Sequence, residues 1–286
     1  MKLVFWGIRG TFPVSGKKNN AYGGHTPCSS ITASDGSLIV LDAGTGIIKL
    51  GESLLRERKD ESLSVHLLLT HFHLDHILGL PFFGPLYSQK VTVIFYSVLD
   101  PEKAEKVLGG LMAGKYFPIQ FRQTPAIKKF KKILPGEFTI HGVKISSCAL
   151  NHPQGALAFR LTQKKKSVVL ATDTEHPEDG VDEQLAAFVK KTDILVYDAT
   201  FTPEEYFLGK KGWGHSTWQA GTKLALNAKV KNLFLSHFNP GHPDAQINSI
   251  LSQAKKEFQK TFGAREGLSV DMDGEEISLM NPKERK

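Results

Sequence analysis

Short apolar runs bounded by turn residues set the rhythm of this chain. The first half reads as strands at Lys2 to Trp6, Ser30 to Thr32, Leu38 to Leu41, Ser64 to Leu69 and Val91 to Tyr96. Asp35-Gly36-Ser37 has the composition of a hairpin connection, and Ile47 to Arg58 places apolar residues at helical spacing before the polar break Lys59-Asp60-Glu61. The second half echoes the first, with strands at Val143 to Ala149, Ala156 to Thr162, Ser167 to Ala171, Ile194 to Asp198 and Asn232 to Ser236. Helices are expected at Val181 to Lys190, Ser216 to Leu226 and Gln246 to Phe258, and a hairpin over Leu268 to Met280 turns at Asp273-Gly274. Sheet and helix alternate with no linker or low-complexity stretch, which predicts an α/β class and one domain over residues 1–286.

Composition changes this picture little. Apolar residues make up 41% and charged residues 23% of 286, near globular averages and enough to bury a full core. No stretch reaches the roughly 18 apolar residues of a membrane helix. The opening Met1 to Gly7, followed by Arg9, reads as a first strand rather than a leader, so a soluble cytoplasmic protein is expected. Two cysteines, Cys28 and Cys148, fit a reduced compartment without a disulfide framework. A net charge of +7 favours anionic partners. The lysine doublets around Phe130 and the run Lys164 to Lys166, at an expected hairpin turn, read as solvated surface.

The chemistry concentrates in Thr70-His71-Phe72-His73-Leu74-Asp75-His76, directly after an apolar strand. With His71 and His73 on one side of an extended strand end, one cation is held, and Asp75 with His76 on the following turn reaches a second. Further ligands are expected from loops that end later strands: His152 in Asn151-His152-Pro153, Asp173 in Ala171-Thr172-Asp173-Thr174, and His237 in Ser236-His237-Phe238. Each alone is more often a loop or capping residue; together they complete two coordination shells. Two adjacent cations imply hydrolysis.

That order of residues resembles the metallo-β-lactamase superfamily over essentially the whole chain. The resemblance implies a four-layer αββα sandwich in which His71, His73 and His152 hold one metal, Asp75, His76 and His237 hold the other, and Asp173 bridges them. Asp75 thereby also counts among the catalytic residues. Asp42, in Leu41-Asp42-Ala43-Gly44-Thr45-Gly46, matches the position that orients the metal-binding loop. Asp198-Ala199-Thr200-Phe201 followed by Gly214-His215-Ser216-Thr217 resembles the phosphodiesterase branch that includes the tRNA 3′-end endonucleases. There a histidine assists the leaving group, and His215 matches it. Asp198 stands where those endonucleases pair a glutamate with that histidine, and the shorter side chain reduces its reach. Phe5-Trp6-Gly7-Ile8-Arg9-Gly10, Tyr22-Gly23-Gly24 and Gly212-Trp213-Gly214-His215 resemble a bacterial subgroup of superfamily hydrolases.

Only 20 residues lie between His152 and Asp173, where the clasping tRNA enzymes carry an inserted arm. The expected substrate is therefore a small phosphodiester, such as a cyclic nucleotide or cyclic ribose phosphate, ahead of a large folded RNA. The implied mechanism is attack by a hydroxide shared between two divalent ions, zinc first, with manganese or iron compatible with the same donors. His215, supported by Asp198, would protonate the departing oxygen, and Arg9 is the candidate for the non-bridging oxygens, although an arginine beside a first strand is more often structural. Trp6 and Trp213 are more often core than base-stacking platforms. The rivals are a tRNA endonuclease, a carboxylic-ester, lactone or thioester hydrolase using the same metals, and a non-catalytic nucleotide-binding module. Apolar residues in Leu111 to Phe121 suggest a homodimer contact.

Overall fold

A computed structural model describes residues 1–58 and 61–281; Lys59 and Asp60 of the polar break expected after the first helix lie outside them. The strands in the first half are β1 (Lys2–Gly7), β2 (Cys28–Thr32), β3 (Leu38–Leu41), β4 (Leu63–Leu68), β5 (Val91–Ser97), β6 (Ile127–Lys132) and β7 (Gly136–Ile140). There follow β8 (Val143–Leu150), β9 (Ala156–Gln163), β10 (Lys166–Ala171), β11 (Ile194–Asp198), β12 (Asn232–Ser236), β13 (Thr261–Gly263), β14 (Ser269–Asp271) and β15 (Ser278–Met280). The helices are α1 (Gly46–Glu57), α2 (Leu74–Ile77), α3 (Pro101–Gly110), α4 (Glu183–Val189), α5 (Pro203–Phe207), α6 (Trp218–Asn227) and α7 (Asp244–Glu257).

The chain forms two compact units, each built on its own sheet. The first comprises residues 1–7, 25–134 and 266–286 and carries the sheet β15-β14-β1-β2-β3-β4-β5-β6. From β3 to β6 the strands are parallel. Parallel strands are covered on both faces, which is why β3 is apolar and buried at all four positions and lacks alternation. Helix α1 buries Ile47, Leu50, Gly51 and Leu54, the i, i+3, i+4, i+7 stripe of an amphipathic helix. Gly51 lets it approach Phe83 and Pro85, where a Cβ would stand 3.0 Å from each.

The second unit, residues 8–24 and 135–265, carries the sheet β13-β12-β11-β10-β9-β8-β7. Strands β10 to β13 are parallel and β7 to β10 antiparallel. Lys164 and Lys165 make the hairpin turn between β9 and β10, as expected, with Gln163 opposite Lys166. Helix α6 begins at Trp218 rather than Ser216 because Thr217 caps it, its side chain accepting the Ala220 N–H at 3.2 Å.

Several elements escaped the sequence reading. Helix α3 buries only Ala104 and Leu108, too few positions to show a period. Lys128, Lys129, Lys131 and Lys132 belong to the edge strand β6, whose Phe130 stacks on Phe95 at 4.9 Å while the lysines leave the edge unattractive for further pairing. Of the apolar residues expected to offer a partner surface, Met112 and Phe121 are core of the first unit, and Leu111 and Phe117 pack against it. Cys28 and Cys148 are both buried free thiols. Among the described residues, no helix is long and apolar enough to cross a membrane.

Candidate metal centre and its acid–base pair

Chemistry collects at the carboxyl ends of parallel strands in both units. In the first, β3 and β4 end in register, Leu41 opposite Leu68. Asp42 follows β3 with φ +61°, and Thr70 to His76 follow β4. The His71 ring lies 4.5 Å from His73 and 4.2 Å from His76. His71, Asp75 and His76 are buried, and His76 Nε2 stands 3.6 Å from Asp75 Oδ2. Asp42 anchors the loop: its Oδ1 accepts the Thr70 N–H at 2.8 Å, and its Oδ2 accepts His76 Nδ1–H at 2.8 Å and the Thr70 hydroxyl at 2.9 Å. With its proton given to Asp42, Thr70 Oγ1 accepts His71 Nδ1–H at 3.0 Å.

In the second unit, β10, β11 and β12 end level, Ala171 opposite Tyr197 and Asp198 opposite Ser236. Asp173 and His237 follow β10 and β12 with φ +61° and +58°, left-handed conformations that non-glycine residues seldom adopt and that concentrate at functional sites. His237 Nε2 lies 3.3 Å from Asp173 Oδ1. Thr200 donates its hydroxyl to the His237 carbonyl at 2.8 Å and accepts His237 Nδ1–H at 3.0 Å. His152 Nδ1–H donates to the Gly214 carbonyl at 2.8 Å. At Gly214, φ +79°, a Cβ would fall 2.4 Å from His152 Nδ1, and at Gly10 one would fall 2.4 Å from His237 Cε1.

His71, His76, His152 and His237 thus share one arrangement: Nδ1–H is spent on an oxygen, which sets Nε2 as the atom turned the other way. That is the tautomer and orientation in which protein imidazoles ligate a metal. In each unit, buried imidazoles steered by an anchoring oxygen, beside a buried carboxylate, Asp75 in one and Asp173 in the other, fit a divalent cation.

His215 is anchored through Nδ1 in the same way but, unlike those four, is partly exposed. Its Nδ1–H donates to Asp198 Oδ2 at 3.0 Å, and its ring stacks on His237 at 5.0 Å. Asp198 is fully buried and accepts from four donors: His215 and the Asp173 N–H at Oδ2, and the Thr200 and Ser216 N–H groups at Oδ1. Burial works to raise the Asp198 carboxyl, but the facing His215 and His237 imidazoles outweigh it and hold it below the ordinary range. Oxygen or nitrogen atoms of Asp173, Asp198, His215 and His237 all lie within 4.8 Å of one another. The shorter aspartate therefore reaches its histidine.

Sequence reasoning missed three supports. Thr70 and Thr200 stood inside the quoted motifs but only as neighbours of expected functional residues. Glu175 carried no signal, yet it accepts the Tyr206 hydroxyl and the Gly212 N–H at 2.7 Å and the Gly214 N–H at 2.8 Å, pinning the loop before His215. Arg9 is wholly buried in the second unit, where its guanidinium donates to the carbonyls of Gly23, Asn239 and His242. Trp6 packs on the first unit's core and donates to Ser30 at 2.8 Å, whereas Trp213 is 55% exposed.

The family model for the beta-lactamase superfamily domain matches residues 38–238. The chain belongs to the β-lactamase superfamily. Among superfamily relatives, ribonuclease Z of Thermoplasma acidophilum is 20% identical over 95% of this chain and 96% of its own. The metallo-β-lactamase fold protein YhfI from Bacillus subtilis superposes with a TM-score of 0.70 at 20% identity, covering 94% of this chain and 99% of that one. A diphosphatase from the PhnP family superposes with a TM-score of 0.67 at 20% identity, covering 95% and 98%. The α/β fold is accordingly that of the metallo-β-lactamase superfamily, and the chain is a metal-dependent hydrolase of that superfamily.

Proposed function

We propose that this phosphodiesterase-type hydrolase cleaves a small, cyclic nucleotide or cyclic ribose phosphate, with His215 as general acid. The observation that carries the reading is the buried Asp198 carboxylate bonded to His215 Nδ1. It keeps the imidazole oriented and favours its charged form, so that the opposite nitrogen can give a proton. In the hydrolysis, water adds to phosphorus, the bond to the leaving oxygen breaks, and that oxygen takes the His215 proton. Asp198 remains ionised throughout. His71, His73 and His152 are proposed to hold one divalent ion and Asp75, His76 and His237 a second, with Asp173 shared. Two ions, zinc by the histidine-rich donor set, would supply an activated water at neutral pH and stabilise the charge that develops on the phosphate. A soluble cytoplasmic setting is supported by two free buried thiols, and association into a homodimer completes the reading.

A second reading, processing of tRNA 3′ ends, is favoured by the ribonuclease Z relatives that match along the chain. The test is turnover of bis-p-nitrophenyl phosphate, 2′,3′- and 3′,5′-cyclic nucleotides and a precursor tRNA by metal-loaded protein and its His215→Ala variant. Cyclic diester cleavage lost in the variant supports the proposal; preference for the precursor moves the assignment to the tRNA reading. Cleavage of esters or thioesters alone sinks both.

A further inference from the structure

The loop that leads into His215 carries side chains to which the proposed reaction gives no role. Phe207 is 75% exposed, Leu208 87% and Trp213 55%, with Lys210 and Lys211 among them. Lys210 Nζ stands 3.7 Å from the centre of the Trp213 ring. Buried Phe201 lies edge-on to Trp213 at 6.4 Å and to His215 at 6.0 Å, so a single ring spaces the exposed indole from the imidazole.

A cation over an exposed indole is weakly attracted, which accounts for the place of Lys210 but not for an indole left in water. The loop does not hang loosely. Gly212 and Gly214, on either side of Trp213, adopt φ +81° and +79°, and both give their N–H to Glu175. Trp213 is therefore presented from a fixed backbone two residues before the proposed general acid, an arrangement suited to a planar ligand rather than to packing.

We infer that Trp213 and Lys210 form a nucleobase-stacking subsite beside His215. The inference rests on the phosphodiesterase reading and adds to it that the substrate carries a base. The indole takes the face of the base, and the Lys210 ammonium attracts the phosphate. Every base has such a face, so the subsite separates base-bearing from base-free diesters and discriminates little among bases.

The experiment uses the metal-loaded full chain, with Trp213→Ala and Trp213→Phe, acting on 2′,3′-cyclic AMP and on 1-O-methylribose 2′,3′-cyclic phosphate. The preference for the nucleotide, as a ratio of kcat/KM, falls about tenfold in Trp213→Ala, mostly through KM, and is largely kept by Trp213→Phe. An unchanged ratio overturns the inference. Calorimetric binding of 2′-AMP and of an adenosine tetranucleotide provides a readout independent of turnover. Trp213 dependence with either supports the subsite, and the tighter of the two names the carrier of the base; dependence with neither overturns it. Trp213-dependent binding without hydrolysis of any diester sinks the phosphodiesterase reading alone, whereas His215-dependent hydrolysis indifferent to Trp213 sinks the subsite alone.

Discussion

Oδ2 of Asp198 accepts the Nδ1–H of His215 at 3.0 Å, and the same oxygen accepts the backbone N–H of Asp173 at 2.9 Å. One carboxylate thus orients the proposed acid and fixes the loop of a proposed ligand. His215→Ala is expected to lower kcat on a phosphodiester about 10²- to 10⁴-fold with the melting temperature little changed. Asp198→Asn is expected to lose both activity and about 1–3 kcal/mol of stability, because an amide nitrogen turns against buried N–H donors. Steady-state rates beside thermal melts check this, and an Asp198→Asn protein as stable as wild type refutes the structural half.

Glu175 works one step further out. Glu175→Gln keeps size but sets its one NH₂ against either the Gly212 or the Gly214 N–H, since these bond to different carboxylate oxygens. The expected outcome is a kcat lowered with bound metal retained, and a loss of about 1–3 kcal/mol in denaturant unfolding. Wild-type kcat in this variant would show that the loop holds its shape unaided.

The anchoring hydroxyls lead to a prediction about metal that touches no ligand. Thr200→Val removes the oxygen that accepts His237 Nδ1–H, and Thr70→Val the one that accepts His71 Nδ1–H. Each should weaken metal binding about 10- to 100-fold in competition with a chromophoric chelator. Full chelation should abolish hydrolysis and lower the melting temperature, since a metal that binds only the folded chain stabilises it.

The two thiols provide a probe of intactness. Burial, reinforced by the Asp42 carboxylate, pushes the Cys28 thiol well above its ordinary range, and burial outweighs the Gln184 hydrogen bond to raise Cys148. Only the thiolate attacks a disulfide reagent, so raised values mean less reactive form at pH 8. Labelling by a chromogenic disulfide should be at least about tenfold slower in native than in urea-unfolded protein. Equal rates would indicate an open core.

The proposed ligands were legible because they follow apolar strands whose ends the pattern locates: β12 lies where the alternation of apolar runs and turns put it, and β10 ends at Ala171 as expected. His71 to His76 announced themselves by density, and His152, Asp173 and His237 by their places just after strands. What stayed hidden was carried by geometry rather than period. Glu175 acts through backbone N–H groups far along the chain, and nothing in its neighbours marks that. Strand β6 was masked by four lysines, and α3 by a buried face of two residues. The fate of Arg9 turned on tertiary carbonyls that no local signal shows.

Asp42, Asp173 and His237 occupy backbone conformations that glycine or asparagine would take at lower cost. Each therefore holds back on the order of 1 kcal/mol or more of folding free energy. An engineer screening for heat resistance would gain nothing at Asp42, whose carboxylate accepts the buried Thr70 N–H and His76 Nδ1–H, or at His237, whose buried ring fills its site, but would recover Gly or Asn at Asp173 as an apparent improvement expected to silence turnover. Selection for stability and selection for turnover pull in opposite directions at that residue, so a hardened version of this enzyme has to find its gains elsewhere in the chain.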